Sequence, residues 1–347
     1  MLRFSRLTMA ACVLALLPVS PAFSAEQTLT IYTSRKEELI KPQLEAFTKK
    51  TGIKVNMLYD EAPKLIARLE SEGKDSPADV LMPADVASMV LAADKGLLAA
   101  VDSTALTAAV PAALRDEKGR WFGLGQRLRV VFYNKEKVKP SELSTYEDLA
   151  DPKWKGQILV RSSSHPYNLS LIAAMIATSG AEKAESWTKG VTSNLARTPQ
   201  GGDVDQIRAV AAGEAKLAIA NSYYYARMLN SPHPEMKAAA QKVGIFFPNQ
   251  KAAEGQLQGA HLNLSGAGVV AGSRHQAQAV QFIEYLASEE GQRLYADSNF
   301  EYPVNPKVAP SETLKQFGAY RADEAAVKTM AVHVQEAIRI TDRAGWK

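Results

Sequence analysis

Residues 28–59, TLTIYTSRKEELIKPQLEAFTKKTGIKVNMLY, hold a strand, a helix and a second strand in succession. Leu29, Ile31 and Tyr32 stand among β-branched threonines, the composition of a strand. The segment from Lys36 reads as an amphipathic helix that stops at Gly52. IKVNMLY, 53–59, is the next strand. Working outward, APKLIARLESEGKDS is a second helix, ADVLMPA a third strand and VASMVLAADKGLL a third helix. Strand alternating with helix predicts a doubly wound α/β domain. Such sheets take ligands at the carboxyl ends of their strands.

A second α/β unit follows. It contains the strand QILVRS, the helix YNLSLIAAMIATSG, the helix DVDQIRAVAAGE and the strand KLAIANS. Two long apolar strands flank it, LRVVFYNKEKV (Leu128–Val138) and KVGIFFPNQ (Lys242–Gln250). They are the natural candidates for paired crossovers between two lobes. The expected division is 25–127 with about 248–300 for the first lobe, and about 128–247 with about 301–347 for the second. The predicted class is therefore α/β, with two lobes and two crossover strands.

The first 24 residues read as an export signal: basic MLRFSR, apolar LTMAACVLALL and small-residue PVSPAFSA, with cleavage expected after Ser24. The apolar run is too short to span a bilayer. Cys12 is the single cysteine and leaves with this segment. The mature chain then has no thiolate metal site, catalytic cysteine or disulfide. Arg3 and Arg6 also leave, so the charge falls from +4 to about +2, too mild to argue for nucleic acid. An exported two-lobe chain without thiols has the profile of a venus-flytrap solute receptor. A secreted hydrolase shares that profile, but the G-x-S-x-G elbow is absent and the histidines 165, 233, 261, 275 and 333 show no metal-site spacing. No enzymatic function is expected.

NSYYYARML carries the chemistry. The strand KLAIA runs into Asn221 and Ser222, both good helix N-caps, and Tyr223 and Tyr224 fall in the first helical turn. Tyr225 reads as packing. A phenol normally ionises near pH 10, but a strongly charged cation holds it as phenolate at neutral pH. Three phenolates would offset one Fe(III), and oxygen donors suit hard ions. Tyr167, in RSSSHPYNLSL, has the same placement: a strand, a turn, Pro166, then a helix start.

These residues resemble the periplasmic ferric-iron-binding proteins of ABC importers. The resemblance runs through LTIYTSR, GIKV, SPADVL, RLRVVFYN, DPKWKGQI, RSSSHPYNLSL, GGDVDQIRAVAAGE, NSYYYARML, FFPNQ and HLNLSGAGV, nearly the whole mature chain. It implies a type II periplasmic-binding-protein fold holding iron in the cleft between the lobes. It also implies that Tyr167, Tyr223 and Tyr224 are iron ligands. Many relatives carry a histidine, or histidine then tyrosine, after the first strand, where this chain has Lys36 and Glu37. A glutamate that some relatives use after the third strand is missing, and only Asp85 is near. The first lobe then gives no ligand, or only Glu37. A synergistic anion such as carbonate would fill the remaining positions, with Arg35 and Arg127 as its partners and Arg129 the alternative to Arg127. Ser162, Ser163 and Ser164 offer further donors, and His165 and His261 are expected to be structural. The resemblance also implies a periplasmic monomer that delivers to an inner-membrane ABC permease. The competing expectation is a metal-free receptor for a small anion, using Arg127 and the serines.

Overall fold

The computed structural model describes residues 28–347, so the export signal expected at 1–24 lies outside the described residues. Nine strands form one curled mixed sheet. They are β1 Thr28–Thr33, β2 Lys54–Tyr59, β3 Val80–Met82, β4 Phe122–Asn134, β5 Ile158–Leu159, β6 Leu217–Asn221, β7 Val243–Phe246, β8 Ala260–Val269 and β9 Ala322–Asp323. The main order is β2-β1-β3-β8-β4-β6-β5.

The opening unit forms as its sequence predicts. β1 pairs in parallel with β2, from Thr28 opposite Lys54 to Thr33 opposite Tyr59, and with β3 on its other edge. The joining helix, Lys41–Thr51, ends at Gly52 in the left-handed conformation, φ 76°. It buries Phe47 edge-on against Phe282, ring centroids 5.0 Å apart, so the later helix Gln276–Ala287 covers this end of the sheet. At the other end, β4 pairs antiparallel with β6, and β5 lies parallel beside β6. The helices Pro166–Ser179 and Asp203–Ala211 cover it.

The crossover assignment needs correction at one strand. β4 does link the two ends, but it starts at Phe122 and stops at Asn134. The segment 242–250 forms only β7, which pairs with the far half of β4 from Val131 to Asn134. The second linking strand is β8. It joins β3 through Val80–Val269 and Leu81–Gly268, and β4 from Phe122–Ala267 to Arg129–His261. All ten of its residues are buried. Glycine lets β8 lie this deep: a Cβ on Gly266 would sit 2.4 Å from the Phe122 carbonyl oxygen. The glycine-rich stretch Ser265–Val269 is thus itself the end of the strand.

Candidate functional site

β6 passes into the helix Ser222–Leu229 without an intervening loop. Asn221 occupies the N-cap position, yet its side chain caps nothing. Its Oδ1 instead accepts from Arg129 Nη1 at 3.0 Å. Arg129 also donates to Asn168 Oδ1 at 2.5 Å and to the Ile219 carbonyl at 3.1 Å, and pairs with Asp203 at 3.2 Å. Asp203 Oδ2 accepts the Asn221 amide at 2.8 Å, and Oδ1 lies 3.5 Å from Arg161. Asn168 stands in the first turn of Pro166–Ser179 and binds the Arg161 and Ser162 carbonyls. One arginine on β4 thus ties together the starts of both tyrosine-bearing helices. Arg129, the alternative anion partner, spends both of its Nη groups on this work, and its buried Nε has no protein partner.

The result is a trio of phenols. The Tyr167 and Tyr223 hydroxyls are 3.0 Å apart. The Tyr223 and Tyr224 rings lie side by side, centroids 4.2 Å apart and planes inclined by 32°. Tyr223 is 4% exposed, while Tyr167 and Tyr224 are half-buried. Burial pushes the Tyr223 phenol well above its ordinary value, the neighbouring Tyr167 and Tyr224 add to that, and Arg127 opposes it. Burial and Tyr167 raise Tyr224 likewise. Three phenolates cannot share this site unless a multiply charged cation replaces their protons. Tyr225 points away: its hydroxyl donates to the Val243 carbonyl at 2.8 Å, and its ring packs on Phe132 and Phe317.

Positive charge surrounds the trio. The guanidinium carbons of Arg127, Arg129 and Arg161 lie 5.6, 5.9 and 5.3 Å from the Tyr167 ring centre. Arg127 is 3% exposed; one Nη donates to the Ala84 carbonyl, and its buried Nε has no protein partner. Arg35 is buried within electrostatic reach of Tyr223 and forms an ion pair with Glu301 at 2.6 Å. Burial pushes the Glu301 carboxyl upward, but Arg35, Arg127 and the Ser265 hydroxyl overcome this and hold it below the usual carboxylate range. Glu301 is the main residue that sequence reasoning missed. The sequence places Asp203 only in a helix; its pairing with Arg129 and Arg161 comes from the fold.

The remaining expected residues lie elsewhere or serve the scaffold. Glu37 is exposed on a short turn, 3.8 Å from Lys41. Asp85 caps the helix Val86–Asp94 through Ser88. Ser162 and Ser164 hydrogen-bond to each other, and the Ser163 backbone amide donates to the Lys347 carbonyl. His165 Nδ1 accepts the Tyr167 amide at 3.3 Å; burial and Arg161 lower its pKa to about 3, so the ring is neutral. His261, also lowered to about 3 by burial, is 3.0 Å from the Ser170 hydroxyl. Among the described residues, no group of three or more His, Asp or Glu side chains is placed to hold a metal.

This chain is similar to known proteins over almost its full length. The iron uptake protein A1 of Synechocystis is 44% identical over 330 residues, covering 95% of this chain and 90% of that one. A Trichodesmium protein solved in complex with iron and citrate ligands superposes with a TM-score of 0.86 at 46% identity, covering 92% of this chain and 100% of the other. The ferric binding protein from Campylobacter jejuni also superposes at 0.86, with 40% identity over 92% of this chain and 100% of its own. The family profile itself matches residues 43–323, from the first helix of the opening unit to β9. The chain belongs to the family of bacterial extracellular solute-binding proteins.

Proposed function

We propose that this chain is the substrate-binding component of a ferric-iron ABC importer, working in the periplasm and binding Fe(III) through Tyr167, Tyr223 and Tyr224. The observation that carries the reading is the meeting of Tyr167 and Tyr223 at 3.0 Å, with Tyr224 stacked beside them. Two helix starts far apart in sequence converge on one point, and their oxygens suit a hard trivalent ion. The ferric-binding relatives support the same cargo.

Charge balance points to a second guest. Among the described residues, the carboxylates paired with or adjacent to Arg35, Arg127, Arg129 and Arg161 are Glu301 and Asp203, which leaves two positive charges uncompensated. Three phenolates offset Fe(III), and a dianion such as carbonate would offset the remainder. The unpartnered Nε atoms of Arg35 and Arg127 supply donors for it.

In this reading the expected boundary at about 248 moves with the crossover to β8: residues 25–127 with about 265–302 form one lobe, and about 128–264 with about 303–347 the other. Packing of Phe47 on Phe282 supports the first grouping, and the Arg343–Glu185 ion pair at 2.7 Å supports the second. Iron binds the tyrosine-bearing lobe, and hinge motion about β4 and β8 brings Arg35 over it. The loaded monomer then presents both lobes to an inner-membrane permease.

The test is to load the purified mature protein with ferric citrate, remove the excess and record a visible spectrum. A red to orange phenolate-to-iron band, responsive to bicarbonate, is the expected result. Failure to retain iron overturns this function and favours a metal-free anion receptor.

A further inference from the structure

The segment Asn299–Tyr302 fastens three parts of the molecule at once. Asn299 Nδ2 donates to the Leu39 carbonyl at 2.7 Å, in the loop that follows Arg35. Phe300 then turns the chain in the left-handed conformation, φ 55°, a costly place for a large side chain. Glu301 enters the interior, 2% exposed. Tyr302 exchanges two backbone hydrogen bonds with Gln126 of β4, at 2.8 and 3.0 Å.

Inside, the Glu301 carboxylate is held on both oxygens. Oε1 receives Arg35 Nη2 at 2.6 Å; Oε2 receives Arg35 Nη1 at 3.4 Å and the Ser265 hydroxyl at 2.7 Å. β4 leaves space for it with a glycine, since a Cβ on Gly125 would lie 2.1 Å from Oε2. Gly125 and Ser265 are opposite each other in the β4–β8 ladder. The carboxylate therefore rests on the pair of linking strands while it grips an arginine on the far side of the trio. Arg35 is clamped at its Nη end, and its Nε, buried and without a protein partner, is its free donor.

Taking the ferric-iron reading as its basis, we infer that Glu301 is a positioning residue for the oxyanion that accompanies iron. It fixes the Arg35 guanidinium relative to the linking strands so that the Nε side can receive a small dianion of the carbonate class. It does not touch iron. A carboxylate one methylene shorter keeps the charge but cannot span Ser265 and Arg35. An amide of equal length keeps the reach and an acceptor oxygen, and removes a negative charge that competes with the anion.

The experiment supplies ferric iron from nitrilotriacetate in carbon-dioxide-free buffer and titrates bicarbonate, reading the phenolate-to-iron band. Glu301→Asp should raise the bicarbonate needed for half-loading by about tenfold or more, the usual range for a lost orienting partner. Glu301→Gln should need no more than the wild type. Ser265→Ala, a milder release of the same carboxylate, should shift half-loading about two- to fivefold in the Asp direction. At saturation the band should stand at one wavelength in all four proteins. Equal shifts in the Asp and Gln variants, no shift in Asp, or a band displaced at saturation would each overturn the role. If Glu301→Asp does not fold, Ser265→Ala alone carries the test, and a wild-type titration there refutes the proposal. A wild type that loads iron independently of bicarbonate removes the anion and the positioning role together. A bicarbonate-dependent wild type whose Glu301→Asp and Ser265→Ala variants titrate as it does removes only the role of Glu301.

Discussion

Replacing Tyr223 by phenylalanine removes one oxygen and keeps the ring that stacks on Tyr224. In the iron-free protein the loss is one hydroxyl contact, at 3.0 Å to Tyr167. Such a bond contributes about 1 kcal/mol net. Tyr167 is half-buried and can turn to water, so the melting temperature should fall by no more than about 2 °C. The iron-loaded protein should respond differently. Removing one charged partner from a buried ionic site costs about 3–5 kcal/mol. At 1.4 kcal/mol per decade, that weakens iron binding by about a hundredfold to several thousandfold. The assay is competition against citrate, followed by the visible band. A second readout separates ligation from shape. Each phenol must shed its proton to bind iron, so affinity rises with pH. With one phenol fewer, the downward slope of log Kd against pH should become shallower by about one. Unchanged affinity with an unchanged slope would remove Tyr223 from the site. A large loss of affinity together with a collapsed melting temperature would trace the effect to the fold.

Other outcomes follow from the same contacts. Asp203→Asn leaves Arg129 and Arg161 without their shared carboxylate; stability should fall by about 3–5 kcal/mol in urea unfolding, and iron affinity with it. Tyr225→Phe is the control, costing about 1 kcal/mol through its lost contact with the Val243 carbonyl, with iron affinity unchanged in the citrate competition. Burial raises the phenols of Tyr146, Tyr223 and Tyr302 above their ordinary value of 10.0. Their contribution is complete below that value, where both folded and unfolded phenols are neutral. It is lost as pH climbs above it, because the unfolded chain ionises first. The iron-free protein should therefore unfold at lower urea at pH 11 than at pH 9, and an unchanged midpoint would refute this.

The parts of the structure legible in the sequence are those where local pattern and tertiary environment agree. The unit at 28–59 is one, because its apolar spacing and the stop at Gly52 are both satisfied by the packing of Phe47. The phenol trio is another: all three tyrosines stand at helix starts that follow strands. β8 was hidden because HLNLSGAGV mixes polar residues and glycines, whereas burial usually selects an apolar run. Its polar groups are satisfied by neighbours distant in sequence, such as Ser265 with Glu301 and His261 with Ser170. Glu301 was hidden for the same reason, since its partner Arg35 lies 266 residues away. Asn221 shows a local rule overridden: a good capping residue gives its oxygen to Arg129 because that buried guanidinium has the stronger claim.

The anchoring of both tyrosine-bearing helices on Arg129 has a kinetic consequence. Asn168, Asn221 and Asp203 all meet the same guanidinium, so in the two-lobe reading proposed above both tyrosine-bearing helices lie on one side of the hinge and keep their spacing as it moves. If Tyr167, Tyr223 and Tyr224 bind iron as proposed, capture draws on a preformed set of donors and needs no domain movement to assemble it. Residence time depends instead on what closes over the metal, the side that carries Arg35. On that proposal, on-rate and off-rate belong to different halves of the molecule. Selection can lengthen the grip on cargo through the Arg35 side without slowing its uptake at the tyrosines.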